Sequence, residues 1–316
     1  MSAEAAGLGA TNGEIQARDV RHVYKGGTVA LDGVSLDIGT GLFGLLGPNG
    51  AGKSTLMRIL CTLLVPTEGT ARVGGHDVVR DRRAVRAMIG YLPQEFNAWR
   101  LHRVEEILDT LAFLSGMTDR ATRKRRTREV LEQVGLLDVS DRKVKKLSGG
   151  MVRRLGVAQS LIHDPQVLVV DEPTVGLDPQ ERLRFRKLMA SLGQDRVIVL
   201  STHIVADLGS GCHDLAIIDS GKIVFRGSPV DLMAHAKGRV FETTVGVGME
   251  DGLGPDVEIV SRMKEGVGIK IRAVSASGKL PPDASTIDSP SLEEAYLAFM
   301  ATRGRAEAAL VEEERP

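Results

Sequence analysis

Gly47-Pro48-Asn49-Gly50-Ala51-Gly52-Lys53-Ser54 is the stretch that decides the fold of this chain. Its spacing, G-x-x-x-x-G-K-S, is the Walker A pattern of a phosphate-binding loop. Glycines 47, 50 and 52 let successive backbone N–H groups turn inward toward phosphate oxygens, which a Cβ would obstruct. The Lys53 ammonium is placed to reach β- and γ-phosphates, and the Ser54 hydroxyl to hold Mg²⁺. The flanks agree. Leu42-Phe43-Gly44-Leu45-Leu46 predicts a buried strand entering the loop. Thr55-Leu56-Met57-Arg58-Ile59-Leu60 predicts a helix leaving it, its positive end aimed at the phosphates.

Downstream, Val167-Leu168-Val169-Val170-Asp171-Glu172 is an apolar run closed by two carboxylates. Such a run suits a central parallel strand covered on both faces. Asp171 at its end is a candidate Mg²⁺ ligand, and Glu172 a general base for the water that attacks the γ-phosphorus. Between the two segments lies Leu147-Ser148-Gly149-Gly150-Met151, which begins a helix with the apolar stripe Met151, Leu155, Ala158 and Ile162. A hydroxyl and two glycines at a helix start make a second anion-binding surface. Two such surfaces in one domain make sense if the second serves the nucleotide of a neighbouring subunit.

In motif order, over roughly residues 16–235, the chain resembles the nucleotide-binding subunit of ATP-binding cassette (ABC) transporters. The resemblance implies an α/β P-loop fold with an inserted helical subdomain, and ATP with Mg²⁺ as ligands. It implies that Tyr24 stacks on adenine and that Pro48, Asn49, Ala51 and Thr55 join the glycines, Lys53 and Ser54 around the nucleotide. Gln94, in Tyr91-Leu92-Pro93-Gln94, matches the Q-loop glutamine, which contacts Mg²⁺ or the attacking water and relays to the permease. Ser148, Gly149 and Gly150 match the signature that meets the opposite subunit's nucleotide. Asp178, in Gly176-Leu177-Asp178-Pro179, matches the D-loop aspartate, and His203, in Ser201-Thr202-His203, the switch histidine at the γ-phosphate. One departure is Met151, where the commonest signature has glutamine; similar Leu-Ser-Gly-Gly-Met segments are frequent among drug and antibiotic exporters. By this resemblance two nucleotides are sandwiched in a two-fold or pseudo-two-fold dimer, closed by ATP and released by hydrolysis.

The 316 residues have room for one ordinary domain and a smaller one. With 41 basic against 41 acidic residues, no global charge draws the chain to nucleic acid, and none is expected as a partner. The cysteines, Cys61 and Cys212, form no metal-like spacing. No apolar run approaches the roughly 18 residues of a membrane span, so the channel is expected on a separate permease. The subunit is expected on the cytoplasmic face of the membrane, beside a second nucleotide-binding subunit.

A disordered N-terminus is expected over 1–14, the nucleotide-binding domain over 15–235 with its helical subdomain at about 96–158, a small α/β accessory domain over 236–303, and a flexible acidic tail over 304–316. In the subdomain, Val104, Ile107, Leu108, Leu111 and Leu114 recur at helical spacing. The basic run Arg120, Arg123, Lys124, Arg125, Arg126 and Arg128 fits either a solvated helix face or contact with acidic permease loops or lipid headgroups. Phe96 and Trp99 fit either permease anchors beside the Q-loop or packing inside the subdomain. In the accessory domain, Val240–Val245 and Gly268–Val274 alternate like strands, and Ser291 with Glu294 forms a capping box. The function expected is an ATP-hydrolysing motor of a membrane exporter of drug-like or other small molecules. The alternatives are a soluble ABC ATPase acting on ribosomes or nucleic acid, and a regulatory ATP-sensing module.

Overall fold

The computed structural model describes residues 14–304. The expected disordered N-terminus and acidic tail lie, apart from Glu14 and Gly304, outside the described residues. The chain divides into one unit running to Thr202 and resuming over Asp207–Phe225, and a second made of His203–Ala206 and the residues from Arg226 onward.

The first unit opens with β1 (Ile15–Val23), β2 (Val29–Ile38), β3 (Gly41–Leu46), α1 (Lys53–Leu60), β4 (Glu68–Val73) and β5 (His76–Asp77). It continues with α2 (Arg82–Met88), β6 (Ile89–Leu92), α3 (Val104–Leu114), α4 (Arg120–Gln133), α5 (Gly149–Leu161) and β7 (Val167–Asp171). After these come α6 (Pro179–Leu192), β8 (Val197–Thr202), β9 (Cys212–Asp219) and β10 (Lys222–Gly227). Two sheets result. The order β2-β1-β4-β5 is antiparallel, and the order β10-β9-β3-β8-β7-β6 is parallel from β9 to β6. The predicted strands around Phe43 and Val169, together with those around Val199 and Ala216, all lie in the second sheet. Their near-unbroken apolar sequence matches burial on both faces. One core cluster draws on both sheets and on α1, with Ile15, Leu36, Phe43, Leu56, Met57, Leu60, Val169 and Val199 among its members. That packing fixes the start of α1 at the carboxyl edge of the parallel sheet.

The helical segment contains α3, α4 and α5. Val104, Ile107 and Leu108 are buried as expected, but Leu114, in the last turn, is 70% exposed. The basic run is divided. Arg123 pairs with Asp109 at 2.9 Å, while Arg126 donates to the carbonyls of Leu161 and Ile162 at the end of α5 and to Asp164. These two arginines therefore hold the helices together, and Arg126 supplies a cation at a helix carboxyl end.

His163 follows α5 with its Nε2 3.2 Å from the Ile89 carbonyl. Burial, chiefly, holds its pKa below the ordinary 6.5; Arg126 adds to this, while the Ile89 carbonyl and Asp164 oppose it. The unfolded chain therefore binds this proton more readily than the folded one. The contribution to stability is full above about pH 6.5 and declines as the pH falls below it. Urea unfolding of His163→Gln should lose less stability than the wild type between about pH 7 and 5.

The second unit comprises α7 (Pro229–His235), β11 (Val240–Gly246), β12 (Val257–Glu265), β13 (Gly268–Ser275), β14 (Ser285–Thr286) and α8 (Leu292–Ala301). Its sheet runs β12-β13-β11-β14, with Phe241, Ile271 and Ala273 at the centre of its core. The predicted capping box forms: the Glu294 amide donates to Ser291 Oγ at 3.2 Å, and the Ser291 amide to Glu294 Oε2 at 2.7 Å. Glu294 is buried and also accepts from the Arg272 guanidinium. Leu297 and Ala298 are buried along with Ala295, Tyr296 and Met300, so α8 is covered on more than one face.

Candidate functional site

Strand register assembles the site. In the parallel sheet Leu46 stands opposite Thr202, Ser201 opposite Asp171, and Val170 opposite Leu92. The carboxyl ends of β3, β8, β7 and β6 therefore form one edge, the position where open α/β sheets bind ligands. The phosphate loop leaves β3 at this edge, the two carboxylates end β7, and Gln94 lies two residues beyond β6.

The loop is closed by packing as well as by sequence. A Cβ at Gly47 would collide with the Ile218 carbonyl, and one at Gly52 would come within 2.5 Å of the Ala30 carbonyl. Gly52 also has φ +110°, which L side chains rarely adopt. Lys53 curls under the loop and donates to the carbonyls of Gly47 at 2.7 Å and Pro48 at 3.1 Å. Ser54 is half-buried at the first turn of α1. The Tyr24 hydroxyl lies 3.1 Å from Thr55 Oγ1, which places that aromatic beside the same helix start.

The centre of the site is a three-residue cluster. Lys53 Nζ is 3.1 Å from Glu172 Oε1, both side chains being about 5% exposed. Gln94 Nε2 donates to Glu172 Oε2 at 3.0 Å. Glu172 itself adopts a left-handed backbone, φ +42°, a strain of roughly 1–3 kcal/mol for a residue of this type. Its amide is held by the carbonyl and hydroxyl of Ser201, at 3.2 and 3.1 Å. Ser201 Oγ also donates to Asp171 Oδ1, so one side chain of the intervening strand orients both acids. Close by, Asp171 adds to the burial that pushes the Tyr91 hydroxyl up to about 12.

The remaining candidates have structural partners of their own. Ser148 caps α5, accepting from the Met151 amide at 3.2 Å, and Ser148 and Gly149 are exposed. Gly150 is buried where a Cβ would strike the Glu181 side chain, which also meets Arg154 at 3.5 Å and Arg184 at 2.5 Å. Asp178 caps α6 by accepting from the Glu181 amide at 2.9 Å, with Pro179 at the favoured first position. Glu181 thus ties the signature helix to the D-loop helix. His203 follows directly on Thr202, in the stretch grouped with the second unit. Phe96 is half-buried, and a Cβ at Gly156 of α5 would press on its ring, whereas Trp99 is 47% exposed beside His102.

Sequence reasoning overlooked Ser201 and Arg153. Ser201 could have been found as the partner of Asp171 once the two strands are aligned in parallel. Arg153 donates to main-chain carbonyls on both sides of the site, a role that its sequence neighbours do not announce.

A phosphate loop, a buried lysine at its foot and two acids at the end of a parallel strand define a P-loop nucleoside triphosphatase. Residues 31–175 match the family model described as ABC transporter. A Nod factor export ATP-binding protein I of Paraburkholderia xenovorans is 38% identical over 249 residues, covering 77% of this chain and 81% of that one. The daunorubicin resistance ATP-binding protein DrrA3 of Streptomyces coeruleorubidus is 39% identical over 211 residues, 66% of each chain. Among solved structures, cbiO1 of Clostridium perfringens, part of an ABC transporter complex, matches with a TM-score of 0.64 at 25% identity, over 71% of this chain and 92% of that one. A dimeric ATP-binding cassette bound to ADP and Pi matches with a TM-score of 0.61 at 25% identity, over 68% of this chain and 98% of that one. The chain belongs to the ABC transporter family, as an ATP-binding and ATP-hydrolysing subunit. Among the described residues no helix is long and apolar enough to cross a membrane.

Proposed function

We propose that this subunit drives an exporter of small molecules, docked on the cytoplasmic side of a separate permease and working as a dimer of cassettes. The contact of Lys53 and Gln94 with Glu172 carries the residue assignments, because it joins the phosphate loop, the Q-loop and the carboxylate strand at one point. Gly47, Gly50 and Gly52 line the cradle with backbone N–H groups, Tyr24 stacks on the base, and Lys53 turns from Glu172 toward the phosphates as nucleotide enters. Glu172, freed from that ammonium, takes the proton of the attacking water, and Gln94 orients that water. His203 contacts the γ-phosphate.

The oxygen donors Ser54, Asp171 and Gln94 are a hard set that suits Mg²⁺. Bound there, the ion neutralises charge developing on the phosphates. Ser148, Gly149, Gly150 and Asp178 face the second subunit. The exposure of Ser148 and Gly149 at the start of α5, and of Asp178 at the start of α6, supports this. The names of the relatives, an exporter of Nod factor and a daunorubicin resistance protein, support an exported cargo. The C-terminal region over 236–303 is assigned as an accessory domain.

Affinity purification of tagged Glu172→Gln protein from detergent-solubilised membranes, with ATP present, tests the assembly. A polytopic membrane protein in stoichiometric amount is expected. Ribosomes or nucleic acid in its place would overturn the exporter reading.

A further inference from the structure

Arg153 lies in the second turn of α5, five residues beyond the Ser148 cap. A guanidinium has five N–H groups, and here each finds a main-chain carbonyl. Nε donates to Pro173 at 2.8 Å. Nη1 donates to Pro93 at 3.2 Å and Gln94 at 2.7 Å. Nη2 donates to Asp171 at 3.1 Å and Glu172 at 2.7 Å. These carbonyls belong to the segments that leave two adjacent strands, β6 and β7. Three of them are consecutive and centred on Glu172, the residue with the left-handed backbone. The other two hold the segment that carries the Gln94 amide to Glu172 Oε2. Burial lowers the pKa of Arg153, and the carboxylates of Asp171 and Glu172 counter that effect.

We propose that Arg153 is a positioning residue for hydrolysis: its fork fixes the strained Glu172 backbone and registers the Gln94 segment against it, so that the two move together with the signature helix. The proposal rests on the reading of Glu172 as general base. Residues with strained backbones cluster at functional sites and persist only where their surroundings over-determine them, and the Arg153 fork is such a surrounding for Glu172. A lysine is no substitute, since its donors radiate from one nitrogen and cannot span two chain segments. The consequence for coupling is direct. A displacement of Gln94 by a docked partner reaches Glu172 through two routes, the amide–carboxylate hydrogen bond and the shared guanidinium.

The test is steady-state ATPase kinetics of the full chain carrying Arg153→Lys and, separately, Arg153→Gln, alongside equilibrium ATP binding. Trp99, the single tryptophan, stands five residues beyond Gln94 and is 47% exposed, so acrylamide quenching reports on that segment. For both variants kcat should fall roughly 10- to 100-fold, as small misplacements of reacting groups do. KM and ATP affinity should stay within about 3-fold, because the phosphate loop keeps its own contacts. Trp99 quenching should increase. In a Glu172→Gln background, Arg153→Lys should lower the residual turnover little further, the non-additivity of residues that act as a unit. Wild-type kcat in Arg153→Lys would overturn the proposal. So would a loss of kcat, ATP affinity and melting temperature together in both variants, since that describes a purely structural arginine. Undiminished turnover in Glu172→Gln alone would remove the general base assignment on which the proposal stands.

Discussion

Glu172→Gln should lower ATP turnover by about 10²- to 10⁴-fold, the usual worth of a positioned general base, while nucleotide affinity is kept. The geometry makes this a clean substitution. A glutamine Oε1 can still accept from Lys53, and the amide facing Gln94 is accommodated if that side chain rotates to accept instead of donate. The side-chain volume is unchanged, but the buried Lys53 ammonium loses its counter-charge and keeps only neutral acceptors, so the unliganded chain should be less stable than the wild type. Single-turnover hydrolysis and equilibrium binding of ATP, measured on the same preparation, check the two halves of the prediction. Unaltered turnover would refute the role given to Glu172.

Lys53→Ala is expected to act more broadly. It removes the ammonium from the phosphate loop, and it also leaves Glu172, about 5% exposed, without its cation. Breaking a buried pair by removing one partner costs about 3–5 kcal/mol. The carbonyls of Gly47 and Pro48 lose a donor at the same time. Isothermal titration should show ATP affinity reduced at least about 100-fold, consistent with the loss of a charge-assisted phosphate contact. Chemical denaturation should show a destabilised chain. Because part of that destabilisation comes from the stranded acid, Lys53→Ala combined with Glu172→Gln should be more stable than Lys53→Ala alone, yet bind ATP no better. Equal stability of the single and double variants would contradict the ion pair.

The loop at 47–54 and the acids at 171–172 are legible in one dimension because their chemistry is local. Glycines must bend a backbone beside a strand, and an apolar run must end where water and ligand begin. The order of strands is not legible in that way. Nothing between Leu46 and Val167 announces that β8, still further along the chain, lies between the two motif-bearing strands. With the place of β8 in the sheet unread, the pairing of Ser201 with Asp171 was unread too. Arg153 escaped because a charged residue one place before another arginine looks like helix surface, and its carbonyl partners are contributed by two distant segments.

The basic run shows the converse. Six cations in nine residues suggested one shared surface, yet Arg123 and Arg126 are used inside the helical segment. Leu114 illustrates the limit of periodicity, which continues to mark a stripe after the helix has passed beyond its neighbours. In the second unit β12 was overlooked. Its sequence, Val257 to Glu265, grows polar toward its end, and it is an edge strand where charges are favoured over apolar alternation.

The placement of β3 has a consequence for the birth of this protein on the ribosome. Both of its partners, β8 and β9, are encoded more than a hundred residues downstream, with Leu46 pairing to Thr202 and Ile217. At about 5–20 residues per second, the segment carrying the phosphate loop emerges roughly 8–30 seconds before its strand can be paired on either side. In that interval the apolar stretch Leu42–Leu46 is an open edge, exposed to other nascent chains. The α-helical insertion, rich in local contacts, can form while the sheet waits. Translation speed between residues 46 and 202, rather than the stability of the finished fold, therefore sets how long the chain must be shielded by chaperones.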